Sequence, residues 1–116
     1  MTAYDDQTYQ QHILECILLI KKYTRGGKSE FMQSSLIQDA VIRRLQTMAE
    51  SSQKLSPELK AQAPDIDWRA LSGFRNVLTH DYLGGIDLEQ VWQAVTLYLP
   101  ELEAAVIELP IGKASQ

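Results

Sequence analysis

Apolar residues return every three to four positions through most of the chain, the period of a helix that buries one face. Over residues 9–23 the stripe is Tyr9, Ile13, Cys16, Ile17, Ile20 and Tyr23, widened by Leu14 and Leu18. Thr24 to Ser29, with Gly26 and Gly27, ends that helix and turns the chain. A second helix is expected over residues 30–54, with Ile37, Val41, Leu45 and Met48 on its apolar face. Ser35 followed by Gln38 reads as a capping box that puts a break or a separate first turn inside it. Ser56-Pro57 opens a short helix that Pro64 closes. Asp65 or Asp67 caps the next helix, with Ile66 and Trp68 anchoring its start, and Gly84 and Gly85 end it soon after Tyr82. Asp87 caps the last, whose stripe is Leu88, Val91, Trp92, Val95 and Leu99, with Gln90 at the third position of a capping box. Pro100 must kink or interrupt that helix because proline removes a helical hydrogen bond; Leu102, Val106, Ile107 and Leu109 carry the pattern on to Pro110. No repeat, low-complexity segment or strand pattern occurs. The expected fold is all-α, one domain over residues 1–116: an antiparallel bundle of four long helices plus one short helix.

Composition narrows the partners. A chain of 116 residues supports one core, and its 45% hydrophobic content is ordinary for a globular protein, so only the ends, residues 1–7 and 112–116, are expected to fray. A net charge of -4 and a pI near 5.1 exclude binding of nucleic acid through a broad basic surface. Any such contact must be local, through Arg43 and Arg44 with Arg75, or through Arg25 and Lys28. For each of these cations taken singly, a solvated charged face is the competing reading. Cys16, the sole cysteine, falls in the apolar stripe of the first helix and reads as a small buried hydrophobe; a chain without internal disulfides fits a reducing compartment. Asp5 and Asp6 stand where a signal peptide needs positive charge, and Glu15 interrupts the one long apolar run, so a cytoplasmic protein without a membrane segment is expected. His12 sits beside the first stripe with Glu15 as its only partner at helical spacing. No Gly-rich phosphate loop, paired cysteines, metal-ligand pair on one helix face or elbow serine is found, and neither a metal nor a cofactor is expected.

The concentrated chemistry lies in residues 67–82. On a helix, Leu71, Phe74, Val77 and Leu78 share one side, while Ser72, Arg75, Asn76, Thr79 and His80 share a polar arc of roughly 140°. That arc holds a permanent cation at one margin and an imidazole at the other, with only small neutral groups between. Surface helices usually interleave Glu with Arg at i,i+4; here the countercharge is missing, which points to an anionic ligand. Asn76 stands four before His80, within side-chain reach of it and placed to set its tautomer. Arg75 and Tyr82, seven apart, stack along the same helix.

Arg75-Asn76-Val77-Leu78-Thr79-His80-Asp81-Tyr82 is an arginine, four residues, a histidine, one residue and a tyrosine. In a helical chain of this length that pattern resembles the HEPN superfamily, and within it the HepT-like toxins of bacterial HEPN/MNT toxin–antitoxin pairs. Further blocks carry the similarity: Ile13-Leu14-Glu15, Gln38 to Arg43, Lys54 to Leu59, Asp67-Trp68-Arg69, Asp87 to Trp92 and Leu99-Pro100. Three places depart from the usual pattern. Arg44 stands where the family usually has Asn, Ala49-Glu50-Ser51 where it has Gly-Glu-Ala, and Gly84-Gly85 looks one residue longer than the usual link. The resemblance implies a homodimer in which two motif helices face one cleft, and a metal-independent ribonuclease with Arg75 and His80 as catalytic residues supported by Asn76, Thr79 and Asp81. It further implies a cognate MNT-type nucleotidyltransferase antitoxin that transfers AMP to Tyr82. The alternative is a noncatalytic HEPN module that binds a nucleotide or scaffolds a nucleotidyltransferase.

Overall fold

A computed structural model describes residues 5–69, 71 and 85–110. The elements among them are α1 (Asp6–Tyr23), α2 (Gly27–Gln33), α3 (Ser35–Gln53), α4 (Pro57–Lys60), α5 (Leu88–Gln93) and α6 (Leu99–Glu108), with a π-helical stretch, Ala94–Tyr98, joining the last two. The architecture is the expected all-helical bundle. No helix among the described residues is long and apolar enough to cross a membrane.

Helix α1 begins earlier than its apolar stripe. Asp5, expected to fray, takes an extended conformation as N-cap and accepts hydrogen bonds from the Thr8 amide at 2.9 Å and the Thr8 hydroxyl at 3.0 Å, satisfying a donor that the first turn leaves without a helical partner. Those bonds hold the Asp5 carboxyl below its usual pKa. Asp6 is anchored across the fold, receiving the Ser56 amide at 2.9 Å and the Ser56 hydroxyl at 2.7 Å. Ser56 in turn accepts from the Leu59 amide and, with Pro57 at the first position, starts α4 as its sequence requires.

The helix expected over residues 30–54 is two helices. The break falls at Ser34, one residue before the predicted cap: its backbone is extended and its hydroxyl accepts from the Ile37 amide at 3.2 Å. Gln38 does not close a capping box. Its side-chain amide reaches back to the carbonyls of Phe31 at 2.9 Å and Met32 at 3.2 Å, so one side chain satisfies the end of α2 from within α3. The Gly26-Gly27 turn is correspondingly tight, and Gly27 starts α2 at φ +91°, a conformation that costs a residue with a Cβ about 1 to 2 kcal/mol on general grounds. Ser34→Ala is expected to lower stability by about 1 kcal/mol in urea denaturation, the usual loss for an N-cap hydroxyl.

Ile13, Cys16, Ile17 and Ile20 of α1 are fully buried against Val41, Leu45, Met48 and Ala49 of α3. The two run antiparallel, since His12 meets Ser51 and Cys16 meets Thr47. Helix α6 closes the core with Leu99, Leu102 and Val106, and Leu109, just past its end, joins them. It too is antiparallel to α1: Gln10 donates to the carbonyl of Val106, and farther along Lys21 pairs with Glu103 at 2.7 Å. Phe31 of α2 packs on Trp92 with ring centroids 5.3 Å apart.

Pro100 interrupts the last helix in an unexpected way. It sits in the first turn of α6, where its missing N–H is tolerated, and the stretch before that helix, Ala94–Tyr98, is π-helical. Within this stretch Tyr98 buries its hydroxyl with no partner among the described residues, and burial together with the Asp67 and Glu101 carboxylates pushes the phenol pKa up.

Candidate functional site

The start and the end of the motif segment are tied to the bundle by ordinary helix physics. Ile66 is buried, and the Trp68 indole donates to the carbonyls of Lys60 at 3.2 Å and Ala63 at 3.3 Å, pinning the ring under the turn after α4. The Leu71 amide donates to the Asp67 carbonyl, so the first turn counts from Asp67, and Leu71 is buried in the core. On the far side Gly85 takes φ +86° and Asp87 caps α5, accepting from the amides of Glu89 and Gln90. Arg75, Asn76, Thr79, His80, Asp81 and Tyr82 lie outside the described residues.

Arg43 and Arg44 are placed. Both belong to α3; Arg43 is exposed and Arg44 half-buried, lying close enough to the Cys16 thiol to influence it. The ion pairs among the described residues include Lys21–Glu103 and Lys28–Glu89. Lys28, a candidate for local nucleic-acid contact by its sequence, has its charge matched by Glu89.

His12 is in a richer setting than its sequence neighbours suggested. Its Nδ1 lies 2.6 Å from the Ser51 hydroxyl and its Nε2 3.6 Å from Cys16 Sγ, which in turn lies 3.5 Å from the Thr47 hydroxyl. Two expectations are corrected here. His12 has a second partner at helical spacing besides Glu15, because Cys16 stands four residues on, and these two are a potential ligand pair on one helix face. The spacing was visible in the sequence; assigning Cys16 to the apolar stripe hid it. Cys16 is indeed fully buried, and burial pushes its thiol pKa up, partly offset by the Thr47 hydroxyl and the Arg44 guanidinium. Among the described residues no three His, Cys, Asp or Glu side chains come together as a metal site would require. Ser51 stood out in the sequence only as part of a departure from the family pattern, and its contact with a residue 39 positions away is what gives it a chemical setting.

Comparison with known proteins follows the same segment. The family model described as Ribonuclease HepT-like matches residues 13–109, a span that encloses the Arg75 to Tyr82 motif. The chain is 34% identical over 96 residues to a "Probable ribonuclease HepT" of Thermococcus cleftensis, covering 82% of this chain and 86% of that one. It is 28% identical over 102 residues to a "Putative RNase" of Caldanaerobacter subterraneus subsp. tengcongensis, covering 87% and 90%. It is also 33% identical over 106 residues to a "Gamma-glutamylcyclotransferase and putative RNase" of Methanocaldococcus jannaschii, where the match takes in 90% of this chain but only 47% of that longer protein. No solved structure matches it. With a family model matching residues 13–109 and the Thermococcus cleftensis relative aligned over 86% of its own length, the chain belongs to the HepT-like ribonuclease family.

Proposed function

We propose that this protein is a metal-independent RNA endonuclease and the toxin of a toxin–antitoxin pair. The observation that carries the reading is the coincidence of family membership with an arginine, a histidine and a tyrosine at the motif spacing, Arg75, His80 and Tyr82, inside the matched span. In a homodimer with two motif helices facing one cleft, two guanidinium and two imidazole groups surround one phosphodiester. One His80 takes the proton of the ribose 2′-hydroxyl, whose oxygen attacks the adjacent phosphorus; the bond to the 5′-oxygen breaks, and the His80 of the second copy gives that oxygen a proton. Arg75 holds the charge that develops on the phosphoryl oxygens, a role suited to its planar fork. Asn76 fixes the tautomer of His80, and Thr79 and Asp81 support the constellation. The product is a cyclic phosphate, and DNA, lacking the hydroxyl, is spared. Arg43, exposed on α3, and Arg44, half-buried beside it, supply the local phosphate contacts that an acidic protein of net charge -4 needs.

The partner is a nucleotidyltransferase antitoxin that transfers AMP to Tyr82. Each AMP brings a phosphate to the rim of the cleft, where it repels and blocks the RNA backbone. The acidic balance of the chain favours one other reading, a noncatalytic nucleotide-binding module with Arg75 and His80 as ligand contacts. Expression of the chain in bacteria separates the two: growth arrest that disappears with His80→Ala supports the toxin, and indifference of growth supports the module. With the antitoxin co-expressed, Tyr82→Phe is expected to remain toxic and to carry no AMP by intact mass; AMP labelling of that variant at unchanged stoichiometry counts against Tyr82 as the acceptor.

A further inference from the structure

We propose that Ser51 is a covalent acceptor for short acyl groups, activated by His12 in the cavity between α1 and α3, a site that the ribonuclease reaction does not use. A serine hydroxyl is a weak nucleophile unless a base lies within hydrogen-bond reach and a third group orients that base. Ser51 Oγ lies 2.6 Å from His12 Nδ1. What makes this more than a bond joining two helices is the direction of the chain of hydrogen bonds behind it. The Thr47 hydroxyl donates to the Arg44 carbonyl at 3.2 Å, so its oxygen is left to accept from the Cys16 thiol, 3.5 Å away. With its proton turned to Thr47, the sulfur accepts from His12 Nε2–H at 3.6 Å. Nδ1 then carries the lone pair and accepts the Ser51 proton, which is the tautomer a general base requires.

Ser51 also departs from what helical serines usually do. Its neighbour Ser52 turns its hydroxyl back to the Ala49 carbonyl at 2.7 Å, within the same helix. Ser51 instead points across to α1, and with His12, Thr8 and Tyr9 it lines a cavity of about 280 Å³, room for a short acyl chain. The reaction is an acyl transfer. Ser51 Oγ attacks the ester carbonyl carbon as its proton passes to Nδ1; the bond to the leaving oxygen breaks, that oxygen takes the proton, and the acyl group remains on Ser51. The substrates suited to a Ser–His pair of this kind are esters whose leaving group is already good.

The test is exposure of the full chain to p-nitrophenyl acetate, followed by nitrophenolate release and peptide mass analysis. One acetyl group per chain is expected, on Ser51, at a rate about 100-fold above any other serine, the lower end of what general base catalysis supplies. His12→Gln is expected to lose that advantage while the chain stays folded by circular dichroism and its RNA cleavage is unchanged. Cys16 is a positioning residue: Cys16→Ala slows acylation of Ser51, and Cys16→Ser, which retains an acceptor for Nε2–H, restores it. Acetyl groups spread over lysines and serines without preference for Ser51, or an undiminished rate in folded His12→Gln, overturns the proposal. A fluorophosphonate probe on the unsubstituted chain is an independent measurement: an adduct on Ser51 supports the site, and its absence overturns it. Because neither residue takes part in RNA cleavage, failure here leaves the ribonuclease reading intact, and loss of RNA cleavage in the His80→Ala variant leaves acylation of Ser51 unchanged.

Discussion

His80→Ala is expected to lower cleavage of a labelled RNA by about 100-fold to 10,000-fold under single-turnover conditions, the range a positioned acid–base group contributes. Arg75→Ala is expected to lose about 100-fold to 1,000-fold, the usual cost of removing one donor to a developing oxyanion. Both losses should be seen in the chemical step, with far-ultraviolet circular dichroism unchanged, because the sequence spacing puts these side chains on an expected polar arc and Leu71, at the start of the same segment, is in the core. Lysine in place of Arg75 keeps the charge but not the planar fork, and should recover only part of the rate. Cleavage at the unsubstituted rate by either alanine variant would remove the mechanism, whatever the family.

The largest effect on stability is expected at Phe31. Phe31→Ala should cost about 3–5 kcal/mol in urea denaturation, as truncations of fully buried aromatic side chains do. The ring is 0% exposed, is the one buried residue of the seven-residue helix α2, and packs on Trp92 of α5. A helix this short does not hold by itself in water. Loss of the ring therefore leaves a cavity and also loosens α2, whose last carbonyls are held by the Gln38 side-chain amide and the Ser34 backbone amide. A change under about 1 kcal/mol would mean that the core closes over the missing ring, contrary to the close packing of protein interiors.

Much of this fold was legible along the chain because the signals are local. Ser56-Pro57 and Asp87 start helices where they were expected to, since an N-cap needs only its own side chain and an amide two or three residues on. Trp68 and Ile66 anchor the start of the motif segment as their position before it suggested. The centres of the apolar stripes of α1 and α3 matched the buried residues because helical period and burial are the same fact seen twice, but Leu18, expected to widen the α1 stripe, is exposed. The candidate site was legible to the extent that spacing carries it: Arg75, His80 and Tyr82 were recognisable without any fold. Arg43 and Arg44 were identified from the sequence, and the folded chain adds that Arg43 is exposed on α3 and Arg44 half-buried.

By itself the sequence determined the helical class, the single core, most helix starts and the motif, all of which depend on residues within a turn or two of each other. The tertiary structure alone decided the rest. The break at Ser34 is held by an amide reaching from Gln38 to the end of another helix, and Asp6 is held by Ser56, 50 residues away. The stretch upstream of Pro100 is π-helical. His12 acquires its meaning from Ser51 and Cys16 from Thr47, across the seam between α1 and α3. The physical reason is the same each time: a hydrogen bond between side chains far apart in sequence leaves no periodic trace, because it depends on where two helices come to rest against each other and not on the order of residues within either one.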